Sequence, residues 1–456
     1  NDYDHELDCA NLPMLYSIFM TLSKPVTLKE VFHLWLPLAG SWMLMGIESP
    51  MLAAFVARMA TPEITLAAWG SLVYPISLVV EGPIIMLLTA STALANDLPS
   101  YKKLFKYMVA MSLILSIIHI FIAFTPLFYF VAERLMNVPK SLLDPGKIGL
   151  QIMTPWTLMI AWRRLNQGVM IKHGNSKLVA KGTLIRLITL TFILSYGRWF
   201  TDYSGIIVGA SAVALAVSAE ALYAQHAVQN ILKIKLPIKS QSKNITRSSF
   251  TKFYLPLAVT PLASLLIHPV GSAGMSRMPE ALSSLAAWPV VYGLVFITRS
   301  LGFAFNEVVV ALLDRPNGKF ELYRFTRILA FSTIAFLALL AVTPLGRFWF
   351  QYVSGLSPEL TYFSSTTLFF AILMPGYQVY QAWYSGLLVN NNQTNGISIA
   401  VMIYAVTAII GLWIGTHFAT FPGIYWAVNV FVFAGLSQTF YLRYCYKKLG
   451  DSNGKI

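Results

Sequence analysis

The chain has 456 residues, of which 56% are hydrophobic and only 11% are charged, whereas a typical soluble domain carries about 25% charged residues. This composition excludes an ordinary soluble protein, and the length suits about twelve membrane-spanning helices of about 20 residues each. The formal net charge of +14 matches basic loops that face anionic lipid, so it gives no reason to expect a nucleic-acid partner.

The first 31 residues form an N-terminal segment that is not predicted to cross the membrane. Asn1 to Asp8 is acidic and lacks a basic n-region, so we expect no cleavable signal peptide. Leu12 to Ser23 is apolar but too short to span a bilayer. We interpret it as an interfacial helix or an ordered N-terminal segment.

Twelve apolar runs follow, and each is predicted to be a membrane-spanning helix. The predicted spans are 32–57, 66–95, 107–132, 148–171, 183–200, 205–232, 253–276, 285–313, 328–349, 362–389, 397–418 and 423–443. The first six spans make an N-terminal lobe over 32–232, and the last six make a C-terminal lobe over 253–445. A basic linker over 233–252 joins the lobes, and a basic tail over 446–456 ends the chain.

The 33 Lys and Arg residues fall unevenly on the two sides of the predicted membrane. With both termini in the cytoplasm, 25 lie on the cytoplasmic side, seven lie outside and Arg299 lies within a span. The 25 include Arg163, Arg164 and Arg186, which we assign to cytoplasmic helix ends. Because basic residues concentrate on the cytoplasmic side of membrane proteins, the distribution predicts a plasma-membrane or inner-membrane protein with both termini inside.

The two halves of the chain are sequence repeats. Shifting residues 36–69 by 219 positions gives 12 identities in 34 columns. The matches include Leu36-Pro37-Leu38-Ala39 with Leu255-Pro256-Leu257-Ala258, Arg58-Met59 with Arg277-Met278, and Leu66-Ala67-Ala68-Trp69 with Leu285-Ala286-Ala287-Trp288. Since six spans separate the copies, the copies share one orientation, which predicts a parallel repeat about an axis along the membrane normal.

Several short motifs carry a resemblance to a known superfamily. They are Leu36-Pro37-Leu38, Glu81-Gly82-Pro83, Arg163-Arg164-Leu165-Asn166-Gln167-Gly168, Ile171-Lys172-His173-Gly174-Asn175-Ser176, Gly182-Thr183 and Arg186. With these residues the chain resembles the MATE-like transporters of the multidrug/oligosaccharidyl-lipid/polysaccharide superfamily, and within it the branch near the progressive ankylosis protein. The resemblance implies an all-α integral membrane protein with a V-shaped pair of six-helix bundles, a central cavity and alternating access driven by an ion gradient. It leaves the substrate open among drugs, lipid-linked sugars and small anions.

Two carboxylates lie deep in predicted spans beside helix-breaking prolines. Glu48 precedes Ser49-Pro50, and Glu81 precedes Gly82-Pro83. A charge at the centre of a membrane helix costs about 2.5–3.5 kcal/mol, so such residues usually face a cavity or a partner. We predict that Glu48 and Glu81 form the ion-coupling site, with H⁺ or Na⁺ as the only cofactor, although each carboxylate could instead bond a neighbouring hydroxyl.

A substrate cavity is predicted mainly in the second lobe. Its candidate residues are Arg299, His268, Tyr377, Gln378, Asn306 and Glu307. Arg299 lies one residue from Ser300, the repeat mate of Glu81, which predicts a cation-attracting first lobe and an anion-attracting second lobe. Arg299 and Glu307 are about 80° apart around one helix, so we expect the arginine to bond another helix or an anionic ligand.

Structural interpretations remain open for several of these residues. His268 could be a hydrogen-bonded structural histidine, and the long side chain of Glu307 could reach interfacial water. Glu220 is followed by Tyr223, Gln225 and His226, so we interpret it as part of a polar cluster at a helix mouth.

The sequence predicts a transporter and not an enzyme. It has no P-loop, no Gly-x-Ser-x-Gly segment and no metalloprotease motif, and its two cysteines, Cys9 and Cys445, cannot build a cysteine-rich metal site. The leading hypothesis is a monomeric secondary exporter of a small organic solute, coupled to a proton or sodium gradient, with lipid and the solute as its partners. The alternatives are a uniporter or exchanger of small organic or phosphate-containing anions, and a flippase for lipid-linked intermediates.

Overall fold

A computed structural model describes residues 24–237, 245–391 and 393–452, and this part of the chain is helical throughout, without strands. Twelve long helical segments, α1 to α12, run back and forth across the molecule. Their bounds are α1 Leu28–Val56, α2 Pro62–Leu94, α3 Leu98–Phe124, α4 Leu143–Ile152 with Trp156–Lys172, α5 Ser176–Phe200, α6 Gly205–Ile234, α7 Arg247–Leu265 with Ile267–Met275, α8 Ala281–Leu312, α9 Gly318–Val342, α10 Pro358–Phe370 with Met374–Asn390, α11 Thr394–Phe418 and α12 Gly423–Ser452. Eight of them, α1, α2, α3, α5, α6, α8, α9 and α11, are long and apolar enough to cross a membrane by length and composition.

The helix ends follow local capping rules. The Thr27 side chain accepts a hydrogen bond from the Glu30 backbone N–H at the start of α1, and Asp97 does the same for Ser100 at the start of α3. The Asp97 cap places the start of α3 at Leu98, nine residues before the start of the predicted span at 107. The same helix ends at Phe124 and not at 132, because Thr125 leaves the helical conformation and Pro126 follows it.

The repeat is visible in backbone details as well as in sequence. α1 is interrupted at Ile47 and α7 at Leu266, which are 219 positions apart. Thr61 and Glu280, the residues before α2 and α8, both adopt a left-handed conformation with φ of 47° and 54°. These coincidences confirm the predicted parallel repeat of α1–α6 and α7–α12, which we call the first and second lobes.

The two lobes touch near both ends of the helix bundle, through different helices. We call the side where α1 begins and α12 ends the terminal face, and the other side the opposite face. Near the opposite face, α2 and α8 pack closely, and a Cβ atom added to Gly70 would lie only 2.7 Å from the Pro289 ring. Gly70 and Pro289 are repeat mates, so the pseudo-twofold axis passes between them.

Near the terminal face, the first half of α1 contacts the second lobe, and the first half of α7 contacts the first lobe. The indole N–H of Trp35 in α1 donates to the carbonyl of Leu301 in α8 over 2.9 Å. The hydroxyl of Tyr254 in α7 donates to the carbonyl of Pro83 in α2 over 2.6 Å. Thr89 on α2 and Glu307 on α8 are exposed in this half of the molecule.

Three of the predicted segments lie wholly or partly outside the described residues. They are the N-terminal segment before Lys24, the linker, of which 238–244 is not described, and the basic tail, which is described only as far as Ser452. α6 reaches Ile234 and α7 begins at Arg247, so the described chain leaves about a dozen residues between the two lobes.

Candidate functional site

Six charged side chains are gathered inside the first lobe. They are the carboxylates Glu48, Glu81 and Glu220 and the guanidinium groups Arg163, Arg164 and Arg186. Glu220 of α6 is the centre of this cluster, with no exposed surface. It accepts from Arg163 Nη1 at 2.6 Å and from Gln167 Nε2 at 3.1 Å, and Arg186 Nε lies 3.6 Å away. We call these six residues the first-lobe charge cluster.

Glu48 joins this cluster through an ion pair. It is the first residue after the interruption of α1, and its Oε2 lies 2.8 Å from Arg186 Nη2 on α5. Arg186 therefore connects Glu48 with Glu220. The guanidinium of Arg186 therefore balances the negative charge of Glu48 without a bound cation.

The negative charge of Glu81 is not balanced by a direct ion pair in the described part of the chain. Glu81 ends an α-helical stretch of α2, and a single 3₁₀ turn over Gly82–Ile84 follows. Its carboxylate is buried and accepts a hydrogen bond from the indole N–H of Trp156, the first residue of the second half of α4. Arg164 of the same α4 segment has its Nε buried without a hydrogen-bond partner. The structure records no direct ion pair at Glu81 among the residues it describes.

The cluster depends on a close approach of α4 to α2. A Cβ atom at Gly168 would lie 1.9 Å from Ser91 Oγ and 2.3 Å from the Leu88 carbonyl oxygen, so a larger residue there would push the helices apart. One turn before Gly168, Arg163 and Arg164 project into the lobe. The Arg-Arg-Leu-Asn-Gln-Gly motif thus combines two charges with the glycine that brings them next to α2.

The placement of these arginines corrects two sequence-based expectations. Arg163 and Arg186 are buried within the helical bundle, where the Arg164 Nε is buried too, so none of the three lies at the terminal face and 22 of the 25 basic residues remain predicted for that side. Three carboxylates and three guanidinium groups formally cancel, so the first lobe carries no excess negative charge at this site. Glu220, interpreted as part of a helix-mouth cluster, instead lies at its centre.

A second polar site lies inside the second lobe, in a cavity of about 290 Å³ between α7, α8, α10, α11 and α12. Arg299 of α8 lines it and donates from Nη2 to Gln378 Oε1 over 2.8 Å. The aromatic rings of Phe303 and Tyr377 each lie 5.7 Å from its guanidinium carbon. Over the described chain, no carboxylate lies within ion-pair distance of Arg299.

Two more of the predicted substrate-site residues, His268 and Gln378, line this cavity, and a third, Tyr377, lies beside Arg299. His268 follows the interruption of α7 and packs edge-on against the Tyr292 ring, with ring centroids 5.4 Å apart. Gln378 is the hydrogen-bond partner of Arg299, and the buried Tyr377 covers the guanidinium from the side of α10. The Tyr377 hydroxyl and Arg299 Nε are both buried without a hydrogen-bond partner, so polar capacity remains for a ligand.

Asn306 and Glu307 lie elsewhere. They are seven and eight residues beyond Arg299 on α8, about two helical turns toward the terminal face, and they do not line the 290 Å³ cavity. Glu307 is exposed, and among the described residues it makes no ion pair with Arg299, as expected from their positions on one helix. Their role in binding a solute between the lobes stays a prediction.

The opposite face is closed by a pair of arginines that the repeat relates to each other. Arg58, which follows α1, donates to the carbonyl of Tyr352 in the second lobe over 2.5 Å. Its repeat mate Arg277, which follows α7, donates to the carbonyls of Leu135 and Met136 in the first lobe over 2.8 and 3.1 Å. Each guanidinium thus caps a short helical turn of the other lobe. We call this pair the arginine clasp.

Within the described ranges there is no group of three or more His, Cys, Asp or Glu side chains that could hold a metal ion.

Comparisons with known proteins place the chain in one structural class. The profile of the family described as Progressive ankylosis protein (ANKH) matches residues 27–195, which cover most of the first lobe. No curated protein matches the sequence. The family match agrees with the resemblance carried by the Glu81-Gly82-Pro83 and Arg163–Gly168 motifs.

Solved structures share the fold across nearly the whole chain. A multidrug resistance MATE family transporter of the MOP superfamily, in an inward-facing conformation, has a TM-score of 0.70 at 13% identity and covers 90% of this chain and 96% of its own. The lipid II flippase MurJ, in an inward closed conformation, has a TM-score of 0.70 at 15% identity, with coverages of 90% and 87%. A MOP superfamily transporter from Pyrococcus furiosus, described as having a binding pocket of reversed polarity, has a TM-score of 0.64 at 13% identity, with coverages of 94% and 97%. The predicted MATE-like fold is confirmed.

Proposed function

We propose that the protein is a secondary transporter that moves a small anionic solute across the membrane by alternating access between its two lobes. The observation that carries the proposal is Arg299. Its guanidinium lines a cavity inside the membrane region, with a neutral amide as its hydrogen-bond acceptor and aromatic rings beside it. A buried guanidinium requires an anionic partner, and a carboxylate or phosphate group of the solute can supply it in bidentate geometry.

Alternating access is supported by the way the lobes touch. They are joined near the opposite face by the arginine clasp and by the contact of Gly70 with Pro289. Toward the terminal face the lobes touch through the first halves of α1 and α7, while Thr89 and Glu307 on α2 and α8 are exposed. Different helices therefore connect the lobes at the two faces, so one set of contacts can break while the other holds during a rocking cycle.

Ion coupling is assigned to Glu81. Glu48 and Glu220 are already held by arginines, whereas Glu81 accepts from one neutral indole N–H. A sodium ion would need several oxygen ligands at this point, while a proton needs only the carboxylate. We therefore favour a proton as the coupling ion, with uptake at Glu81 changing the charge balance of the first-lobe charge cluster.

The size of the second-lobe cavity distinguishes between two substrate classes. A volume of about 290 Å³ is at the lower end of the range for small-molecule sites, which is about 300–1,000 Å³. It accommodates a small carboxylate or phosphate compound. It is too small for the headgroup of a lipid-linked oligosaccharide, so the flippase alternative receives less support.

The test is flux into proteoliposomes that contain the purified full-length protein. A panel of labelled di- and tricarboxylates, inorganic phosphate, pyrophosphate and a lipophilic cation should show uptake of one anionic class. Arg299→Gln should lower the apparent affinity for that anion at least about tenfold, because a charge-assisted contact is lost. Arg299→Lys should retain part of the affinity, since the charge remains.

The matched control is Arg198→Gln, which removes an exposed arginine at the end of α5. It should leave the apparent affinity unchanged. Transport of the cation and of no anion would contradict the proposed substrate class. A normal apparent affinity in Arg299→Gln would contradict the assignment of the site.

A further inference from the structure

A second cavity lies at the terminal face of the second lobe, away from the Arg299 cavity. It has a volume of about 660 Å³ and is formed by the α8–α9 connection, the start of α9, the middle of α10 and the end of α12. Four cationic side chains line it: Arg315, Lys319, Arg443 and Lys447. Aromatic residues of α9, α10 and α12 form its walls. We call this cavity the basic recess.

The charge of the basic recess is mostly uncompensated. Arg315 is paired with Glu30 at 2.5 Å, and the nearby Asp314 accepts from Asn390 Nδ2 at 2.7 Å. Lys319, Arg443 and Lys447 have no carboxylate within 4 Å in the described part of the chain. The recess therefore carries about three positive charges that an anion could balance.

One of these cations, Lys319, makes a cation–π contact with an aromatic ring. Lys319 Nζ lies 5.6 Å from the centroid of Tyr446, and the Tyr446 ring is 6.2 Å from that of Tyr384. The tyrosines therefore support the lysine at the wall of the recess. A cation positioned in this way loses less conformational freedom when it binds an anion than a freely moving surface lysine does.

The recess continues into an apolar groove on the side of the lobe. The groove, of about 340 Å³, runs between α9, α10 and α12 and shares Tyr323, Tyr384 and Arg443 with the recess. Its walls farther from the terminal face are apolar, and two of its residues, Leu373 and Phe440, are 45% and 64% exposed. In a membrane-spanning bundle, an apolar groove with exposed walls at this position faces lipid chains.

The dimensions of recess and groove together match one leaflet of a bilayer. Leu436 in the groove and Lys447 in the recess are eleven residues apart on α12, which corresponds to about 16 Å along the helix. The hydrocarbon core of a bilayer is about 30 Å thick, so this distance is about half of it. A molecule that fills both spaces therefore has an anionic end at the membrane surface and a chain that reaches toward the bilayer centre.

We propose that the basic recess and its groove bind one anionic phospholipid from the leaflet at the terminal face. Lys319, Arg443 and Lys447 hold the phosphate-bearing headgroup, and one acyl chain lies in the groove along Leu436 and Phe440. Basic cavities between membrane helices are suited to anionic headgroups because a low-dielectric setting strengthens the ionic contact. This site is separate from the solute cavity, and its occupation does not depend on the proposed transport function.

The groove also reaches the back of the solute cavity. Tyr377 lines the groove, and the same ring lies 5.7 Å from the guanidinium carbon of Arg299. An acyl chain in the groove therefore contacts a residue whose ring lies beside the Arg299 guanidinium.

The test measures lipid binding to the purified full-length protein by native mass spectrometry in detergent. The probes are phosphatidylglycerol and phosphatidylcholine with the same acyl chains. We expect the first phosphatidylglycerol molecule to bind at least about tenfold more tightly than phosphatidylcholine. The double variant Lys319→Gln, Lys447→Gln should lose this preference, and its thermal unfolding should match that of the unmodified protein because both side chains are exposed.

The matched control is Lys102→Gln, Lys106→Gln, which removes two exposed lysines of α3 at the same face of the first lobe. It should keep the tenfold preference. An equal loss in both double variants would mean that general surface charge attracts the lipid, and it would overturn the proposed site. No preference in the unmodified protein would overturn it as well.

A third arm tests the groove. Leu436→Trp should weaken binding of the long-chain phosphatidylglycerol and leave binding of dioctanoyl phosphatidylglycerol unchanged, since the shorter chain needs less of the groove. Complete displacement of the long-chain lipid by millimolar inorganic phosphate would show that the recess is an anion site without a chain site, and would contradict the proposal.

Discussion

The buried arginines of the two lobes have different kinds of partner. Arg163 and Arg186 share the carboxylate of Glu220, at 2.6 and 3.6 Å, so protein groups balance their charges. Arg299 has the amide oxygen of Gln378 at 2.8 Å, which leaves its charge unbalanced. We therefore expect substitutions in the first-lobe charge cluster to affect stability, and substitutions at Arg299 to affect binding.

Glu220→Gln tests the structural role of the cluster. Glutamine keeps the size of the side chain but removes the charge that two guanidinium groups face. Breaking a buried ion pair in this way costs about 3–5 kcal/mol, so the apparent melting temperature of the purified protein in a fixed detergent should fall by several degrees. Glu307→Gln, at an exposed site, should leave it unchanged.

A second substitution separates charge imbalance from a general loss of packing. Adding Arg163→Met to Glu220→Gln removes one of the uncompensated guanidinium groups, so the double variant should be more stable than the sum of the two single losses predicts. Strictly additive losses would show that Arg163 and Glu220 do not interact energetically.

Glu81→Gln tests ion coupling. The amide still accepts the hydrogen bond from Trp156, so the fold should survive, but the side chain no longer takes up a proton. Uptake driven by an imposed pH gradient should fall to the level without a gradient, while exchange at equal pH on both sides continues. Normal gradient-driven uptake in this variant would exclude Glu81 as the coupling residue.

At the scale of helices, the arginine clasp holds the opposite face closed. Arg58 follows α1, Arg277 follows α7, and each binds carbonyl oxygens of the other lobe. Because the contacts connect the lobes only while this face is closed, their loss should favour the conformation that is open there.

The variant Arg58→Ala, Arg277→Ala should therefore expose the contact between α2 and α8. A cysteine at Ser283, whose hydroxyl donates to Glu63 across the lobes over 3.0 Å, reports this opening in a chain without other cysteines. Its reaction with an impermeant thiol reagent should be several-fold faster in the double variant. Arg347→Ala, which removes an arginine that contacts Tyr362 in its own lobe, is the control and should not change the rate.

The sequence predicted the elements better than the charge cluster. Helices α1 and α7 have the same interruption because the same Pro-containing segment occurs in both copies. Each of the twelve predicted spans overlaps one of the twelve helical segments, eight of which are long and apolar enough to cross a membrane. Arg163 and Arg186 could not be placed in the same way. A basic residue within about two turns of a span's end is equally compatible with a solvated helix end and with an internal ion pair.

The partner of a buried charge is also not encoded locally. Glu220 is 57 residues from Arg163, and Arg186 is far from Glu48 along the chain, so their contacts depend on how α1, α4, α5 and α6 are rotated about their axes. By contrast, the cavity residues His268, Tyr377 and Gln378 could be predicted. Each follows a helix interruption or a Pro-Gly pair, and interrupted membrane helices usually line cavities.

At the scale of the whole molecule, the distribution of basic residues determines the expected orientation. Of the 25 basic residues predicted to be cytoplasmic, three lie in the charge cluster and three, Lys239, Lys243 and Lys455, lie outside the described residues. The described part of the chain thus has 19 basic residues at the terminal face and seven at the opposite face. The terminal face should therefore be cytoplasmic. Single cysteines at Lys102 and Ser357, in a chain with Cys9 and Cys445 replaced, should react with an impermeant reagent from opposite sides of the membrane. Reaction of both from one side would contradict this topology.

The contact of Gly70 with Pro289 depends on the two lobes having different sequences. In a symmetric pair of identical lobes, repeat mates that touch on the twofold axis would be one position that faces itself. Two glycines would leave a gap at such a point, and two prolines would collide. A proline seated against a glycine is therefore a fit that a single chain with two unlike lobes can make and a symmetric homodimer of one lobe cannot.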